Sequence, residues 1–363
     1  MNTQENKTAK TALITGASSG IGQELAKLFA KDGYNLVLVA RSTDKLNELG
    51  GRFWDEYGVE TVVITKDLSE EDAARDVYNQ VKDKNISIDI LVNDAGVGLY
   101  GLFATETDWE KEKSLIHLNV LTTTLLTKLF LKDMVDRNEG KILNLASLVS
   151  ITPMPLMAVY AATKAYIYNF TQSLVNELKD TNVSVTALLP NATDTDFFNK
   201  AGASNTKVTE SLDDAAVVAK DAYNALLKGA PKVIPGGLGN KAQEIMAYVA
   251  PQEAVAGMMR KSMEPKNEPQ TDEKSNKAAW AWGIGIAAVV IAGAAVALAY
   301  NNSNVVDRAR YRYKAGKLKA GADDVYSDVK DSLLSGLNSI KDAVSTAKEV
   351  VAKAKETFAE AVS

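Results

Sequence analysis

Three side chains near the middle of the chain have the types and spacing needed to move a proton: Ser147, Tyr160 and Lys164. Tyr160 and Lys164 stand four residues apart in Val159-Tyr160-Ala161-Ala162-Thr163-Lys164, a run that reads as helix, and Ser147 lies thirteen positions before Tyr160. Residues at i and i+4 share a helix face, so an ammonium at 164 lies near a phenol at 160 and favours its ionised form. A phenol tuned this way can give and take a proton at neutral pH. Taken alone, the same spacing also fits a solvated helix face.

The second constellation lies near the start. An apolar strand over 11–14 runs into Thr15-Gly16-Ala17-Ser18-Ser19-Gly20-Ile21-Gly22, and helical character follows over 24–30. A glycine-rich turn between strand and helix lets the backbone approach a pyrophosphate and aims the helix N-terminus at it. The glycines are spaced G-x-x-x-G-x-G, not G-x-G-x-x-G. By itself such a turn also serves as a tight connection.

Both motifs occur in one chain with Asn93-Asp94-Ala95-Gly96, Asn119 and Pro190, and the set resembles the short-chain dehydrogenase/reductase family over about residues 8–263. Within that family it looks most like a bacterial branch of NADP-dependent reductases, and more distantly like fatty-acyl and steroid reductases. This finer placement rests on Thr152-Pro153-Met154-Pro155 and on Pro190-Asn191-Ala192-Thr193-Asp194-Thr195. The resemblance implies a Ser-Tyr-Lys-Asn site for hydride transfer between carbonyl and alcohol. Tyr160 is its general acid, Lys164 lowers the phenol's pKa and reaches the nicotinamide ribose, Ser147 donates to the substrate oxygen, and Asn119 holds a water for proton relay. Ser150 is a nearby decoy for Ser147. It also assigns Gly16, Ser18, Ser19, Gly20, Ile21 and Gly22 to the dinucleotide, Asp67 and Leu68 to adenine, Asn93, Ala95 and Gly96 to the fourth-strand turn, and Thr193 and Thr195 to the carboxamide and pyrophosphate.

Cofactor choice reads from the end of the second strand. An acidic residue there would bind a ribose 2′-hydroxyl, whereas this chain has Ala40 followed by Arg41. The forked guanidinium suits a 2′-phosphate, so NADP(H) is favoured over NAD(H). Two positions depart from the family pattern: Asp94 replaces an asparagine, with a slight disturbance of the strand turn expected, and Asn191 replaces a glycine, keeping the turn if it tolerates positive φ.

Composition narrows the chemistry. The chain has 363 residues, a net charge of -5, no cysteine and the single histidine His117. Thiolate nucleophiles, iron–sulfur clusters and a histidine zinc site are excluded, so no metal is expected. The charge gives no reason to expect nucleic acid. The first ten residues are polar, without the apolar core of a signal peptide.

Apolar, β-branched runs at 35–40, 61–65, 88–92, 141–146, 183–189 and 232–234 alternate with helical segments. That alternation predicts an α/β protein with a Rossmann-type doubly wound parallel sheet. An apolar-rich helical segment over 241–263, interrupted by Pro251, either borders the substrate cleft, as the resemblance implies, or simply packs on the core. The expected layout is a catalytic domain over 1–263, a polar linker over 264–277, a transmembrane helix over 278–300, and a basic segment with an amphipathic helical tail over 301–363. The span is uncharged for twenty-three residues, with Trp280, Trp282 and Tyr300 at its ends. A buried hairpin helix is the other reading of that segment, and Gly293 with Ala297 offers a small-xxx-small pairing face. Six basic residues follow it and five precede it, so charge leaves orientation open, and cofactor supply puts the catalytic domain in the cytoplasm.

The tail spaces apolar residues from Val325 to Val362 in ten steps over thirty-seven residues, close to an eleven-residue period. Such a stripe can lie on lipid, pair with a copy of itself in a homo-oligomer, or fluctuate as a partly disordered helix. The expected protein is a membrane-associated reductase of an apolar, acyl or lipid-like carbonyl compound. The rivals are an NADPH-binding regulator and an envelope structural protein, both without turnover.

Overall fold

The computed structural model describes residues 9–266, and the chain divides between Pro269 and Gln270 into two units. The expectations for 278–300 and for the tail lie outside the described residues, as does nearly all of the linker.

The first unit is built on one seven-stranded sheet, wholly parallel, in the order β3-β2-β1-β4-β5-β6-β7. The strands are β1 (Thr11–Thr15), β2 (Asn35–Ala40), β3 (Thr61–Thr65), β4 (Ile90–Asn93), β5 (Gly140–Leu145), β6 (Val183–Leu188) and β7 (Lys232–Val233). The helices are α1 (Gly20–Lys31), α2 (Thr43–Tyr57), α3 (Ala73–Asp83), α4 (Trp109–Ile116), α5 (Thr123–Asp136), α6 (Ala158–Glu177), α7 (Phe197–Ala201), α8 (Ala215–Leu227), α9 (Leu238–Val249) and α10 (Gln252–Ser262).

Alternation along each strand feeds two cores. Ala12 and Ile14 of β1, with Leu36 and Leu38 of β2, pack against Leu25 and Phe29 of α1, Leu46 and Phe53 of α2, and Val218 and Leu226 of α8. Leu13, Val37 and Val39 face the other way, onto Val77 of α3, Leu126, Phe130 and Met134 of α5, and Leu174 of α6. Both faces of the sheet are thus covered, which is why its strands read as nearly unbroken apolar runs.

Boundaries differ from the sequence reading by one residue at the ends of β1, β5, β6 and β7, and by more at three places. Helix α1 begins at Gly20, so the end of the glycine turn is itself the first helical turn. Strand β4 begins at Ile90; just before it the Asp89 backbone still bonds Thr11 and Lys141, while its carboxylate accepts the Thr11 N–H and the Ile88 carbonyl accepts the Arg137 guanidinium. It continues to Asn93, which pairs with Thr15 on one side and Asn144 on the other. The segment 241–263 is two helices, α9 and α10, with Pro251 as the N-cap of the second.

Helix α4 runs through a π-helical turn, His117–Thr122, into α5. Among the described residues this continuous 28-residue stretch is the one helix long and apolar enough to cross a membrane, with 44% of its most apolar window buried inside the domain. Its buried face forms the core against the sheet and carries Asn119 towards the site.

Candidate functional site

The carboxyl ends of β1, β4 and β5 carry the residues singled out above to one edge of the sheet. Strand order reverses between β1 and β4, which opens the crevice where parallel α/β sheets bind ligands.

Ser147 follows β5 and caps a short 3-10 turn, Leu148–Ile151. Its N–H donates to Ser150 Oγ at 3.1 Å and its own Oγ accepts the Val149 N–H at 3.3 Å, so the two serines cap the turn reciprocally. That hydroxyl is hydrogen-bonded with Tyr160 on α6. Lys164, one turn further on, is 4% exposed and donates from Nζ to the Leu145 carbonyl at 2.7 Å, with Nζ 5.9 Å from the Tyr160 ring centre. Ser147, Tyr160 and Lys164 therefore meet at the end of β5.

Their electrostatics differ from the sequence reading. Burial pushes the Tyr160 phenol up to about 12, opposed by the hydrogen bond from Ser147. Burial pushes Lys164 down to about 8, opposed by the Asp94 carboxylate. The phenol is therefore not brought below its ordinary range: desolvation dominates at Tyr160, and the Lys164 ammonium donates to the Leu145 carbonyl and interacts with the Asp94 charge.

Asn119 sits in the π-helical turn, 1% exposed, and acts as a staple. Its Oδ1 accepts the Val97 N–H at 3.0 Å, and its Nδ2 donates to the Val97 carbonyl at 2.9 Å and to Thr163 Oγ1 at 3.1 Å. A Cβ added to Gly96 would lie 3.2 Å from Asn119 Oδ1 and 3.4 Å from Lys164 Nζ, so the missing side chain lets the loop after β4 pass both.

The glycine turn fits a dinucleotide. Ser19 makes no side-chain cap, so the backbone of the first turn of α1 is presented without one. Gly16 and Gly20 have φ of 72° and 59°, open to glycine with little strain. A Cβ on Gly20 would stand 2.8 Å from Thr195 Cγ2, which places Thr195 over the turn. Thr193 is buried, its hydroxyl donating to the Asn191 carbonyl at 2.8 Å. Ser18 is half-buried and Ile21 is buried against the core.

At the far end of the edge, Arg41 and Asp67 come together, Nη1 to Oδ2 at 3.6 Å. Burial would raise the Asp67 carboxyl, but the Ser69 N–H and hydroxyl and the Arg41 guanidinium outweigh it and hold it below the usual range. The Leu68 side chain enters the core, while its carbonyl accepts the Thr122 hydroxyl at 2.7 Å. Ala95 backs onto the same core, and its N–H donates to Thr15 Oγ1 at 3.1 Å. Asn93 turns inward: its Nδ2 donates to Thr127 Oγ1 and Asn144 Oδ1, so its side chain ties β4 to β5 and α5.

Residues 10–206 match the sequence pattern described as short chain dehydrogenase. The chain belongs to the short chain dehydrogenase family. A very-long-chain 3-oxoacyl-CoA reductase of Rattus norvegicus is 37% identical over 185 residues, 49% of this chain and 58% of the relative's length. The chain thus spans well under two thirds of that relative. A short-chain dehydrogenase from Sphingobium yanoikuyae, solved with NADPH, superposes with a TM-score of 0.59 at 31% identity, covering 72% of this chain and 99% of the other. L-sorbose reductase from Gluconobacter frateurii, solved with NADPH and L-sorbose, gives 0.55 at 26% identity, covering 62% and 94%. The narrower placement in a bacterial branch gains no support from the rat relative, which falls on the acyl reductase side of the resemblance.

Both departures from the family pattern resolve differently from expectation. Asn191 is absent from the positive-φ residues among those described, and it holds its turn by donating from Nδ2 to Asn240 Oδ1 at 3.2 Å. Asp94 leaves the strand turn intact: its N–H donates to Thr15 Oγ1 at 3.0 Å, and its carboxylate accepts the Gly22 N–H.

Sequence reasoning missed the wall above Tyr160. Phe197 lies 5.1 Å from the Tyr160 ring, centre to centre, in an apolar cluster with Met154, Met157, Phe198 and Met263. A Cβ on Gly98 would be 2.7 Å from both Met157 Cε and Phe197 Cζ, so this glycine makes room for the wall. Phe197-Phe198 after the Thr193–Thr195 stretch was the available signal, but a pair of phenylalanines reads as ordinary core.

Proposed function

We propose that the chain is an NADP(H)-dependent oxidoreductase that reduces an apolar carbonyl compound, acyl or lipid-like, to its alcohol, or runs the reverse. The observation that carries the proposal is the meeting of Ser147, Tyr160 and Lys164 at the sheet edge beside the glycine turn. The nicotinamide supplies the hydride when bound. The Ser147 hydroxyl orients the carbonyl oxygen, and Tyr160, a neutral phenol at physiological pH, gives its proton to that oxygen as it becomes an alkoxide. Lys164 holds a positive charge beneath the site. Asn119 fixes the loop that closes over it and is assigned the relay position.

Gly16, Ser18, Ser19, Gly20, Ile21, Gly22, Thr193 and Thr195 would hold the nicotinamide half and the pyrophosphate; Asp67, Ala95, Gly96 and the backbone of Leu68 would take the remainder, with Asn93 fixing the strand end beneath them. Arg41 supports the preference for NADP(H), since a guanidinium at this edge suits a 2′-phosphate. The methionine and phenylalanine wall over Tyr160 supports an apolar substrate. So does the likeness to a protein named very-long-chain 3-oxoacyl-CoA reductase. Membrane association through 278–300, with the catalytic domain in the cytoplasm, fits such a substrate, because it partitions into lipid.

The test is NADPH oxidation by the full chain against a panel of acyl, steroid and hydrophilic ketones, with Tyr160→Phe alongside. The expected result is turnover of acyl ketones that falls about 10²- to 10⁴-fold in the variant while NADPH affinity holds. Turnover of hydrophilic ketones alone would remove the apolar-substrate reading. Equal NADPH binding with no turnover of any carbonyl compound would favour the regulator.

A further inference from the structure

Asp94 is the charged residue at this edge that the mechanism above does not use. Its carboxylate lies directly beneath the glycine turn. A Cβ placed on Gly22 would stand 2.5 Å from Asp94 Oδ2, and one on Gly16 2.8 Å from the same atom. The Gly22 N–H donates to it from the first turn of α1. Thr15 Oγ1, at the end of β1, holds the Asp94 N–H. The turn thus has two faces, one open to a bound anion and the other closed by a carboxylate.

The surroundings of Asp94 are otherwise neutral or distant. The Gly22 amide faces it from α1, the Thr15 hydroxyl from β1, and Asn93 precedes it on β4. The charged side chain that acts on it is Lys164, from α6. Each partner's ionisation supports the other's.

We propose that Asp94 is a proton-linked positioning residue for the dinucleotide: it props the glycine turn from below and takes up a proton when a pyrophosphate binds above. The physical reason is like-charge repulsion across one thin layer of backbone. A pyrophosphate on the turn disfavours the carboxylate beneath it, and the protonated carboxyl relieves that repulsion while its second oxygen still accepts the Gly22 N–H. Burial already pushes Asp94 up to about 7, so the proton is available in the physiological range. The inference rests on the NADP(H) reading given above.

Linkage fixes the sign. Above the pKa of free Asp94, binding must carry a proton with it, so affinity for NADPH falls as pH rises, approaching about tenfold per pH unit. The 2′-phosphate titrates alike in wild type and Asp94→Asn, whereas Lys164 loses in the variant the charge that holds its pKa up, so the pH profiles are read together with the proton uptake of the wild type. Asparagine keeps the acceptor for Gly22 and removes the titration.

The experiment measures the NADPH dissociation constant of the full chain by fluorescence from about pH 6 to about pH 8.5, for the wild type and Asp94→Asn, with calorimetry of the wild type in two buffers of different ionisation enthalpy. The expected result is a loss of wild-type affinity across this range about tenfold larger than in Asp94→Asn, with net proton uptake in the wild type. Parallel pH profiles overturn the inference. So does calorimetry without proton uptake, which decides the matter even if the variant does not fold. Failure of NADPH to bind at any pH would overturn the proposed function itself, an outcome distinct from binding without a proton.

Discussion

Tyr160 and Lys164 show how one burial acts oppositely on two groups. Desolvation keeps the phenol protonated and drains charge from the ammonium, taking Lys164 from 10.5 to about 8. Carbonyl reduction uses the protonated phenol, so its rate should be level below about pH 8 and fall as Lys164 loses its proton, whereas alcohol oxidation, which needs the phenolate, should rise with pH. Steady-state kcat/KM profiles in both directions check this, and a reduction rate that climbs through the Lys164 titration would contradict the assigned roles. At the other end of the edge, Arg41 is shared with Asp67 and its side chain is 66% exposed, so its contribution to a 2′-phosphate is that of a partly solvated pair. Arg41→Ala should raise the KM for NADPH by about tenfold and leave that for NADH nearly unchanged. Equal losses for both cofactors would assign Arg41 to structure.

At the scale of elements, the apolar cluster over Tyr160 is closed by a strap, whose Met259 and Met263 join it, rather than by the sheet. Helix α10 is tied down by the Tyr100 hydroxyl, which donates to the Met263 carbonyl at 2.8 Å, by Lys207–Glu264 at 3.0 Å, and by the Thr206–Pro265 bridge. Tyr100 belongs to the loop after β4 that Asn119 staples, so the strap and the proton site share one connection. Tyr100→Phe should remove about 1 kcal/mol from that tie, speeding amide exchange over α10 roughly fivefold without changing exchange in β1 or β4. The KM for the carbonyl substrate should rise with it. Unchanged exchange over α10 would show that the salt bridge and the bridge pair hold the strap by themselves.

For the whole molecule, the described unit has complete cores on both faces of its sheet, and each site residue comes from within residues 15–195. Removing residues 278–363 should therefore leave NADPH oxidation by the remaining chain within about twofold of the full chain, since changes that remove no core or site residue have small effects. The full chain should float with lipid vesicles in a density gradient and the shortened chain should not. Flotation of both would place membrane attachment in residues 1–277.

The sheet, and the placement of Tyr160 and Lys164 on one helix beside a glycine turn, were legible in the sequence because both are written in short-range spacing: apolar runs separated by turns, two residues one helical turn apart, glycines between a strand and a helix. Strands β2 and β3 fall on the residues expected. Three things needed the tertiary structure. Ser147 is preferred to Ser150 on the resemblance, and the 3-10 turn adds the reason: the two cap it reciprocally, and of the pair it is Ser147 that acts on Tyr160. The ionisation of Tyr160, Lys164 and Asp94 depends on how much solvent the packed domain removes, which no i, i+4 rule contains. Phe197 and Gly98 become partners of Tyr160 and Met157 only because strands distant in sequence end at one edge, so the substrate wall and the prop beneath the glycine turn were decided by long-range packing.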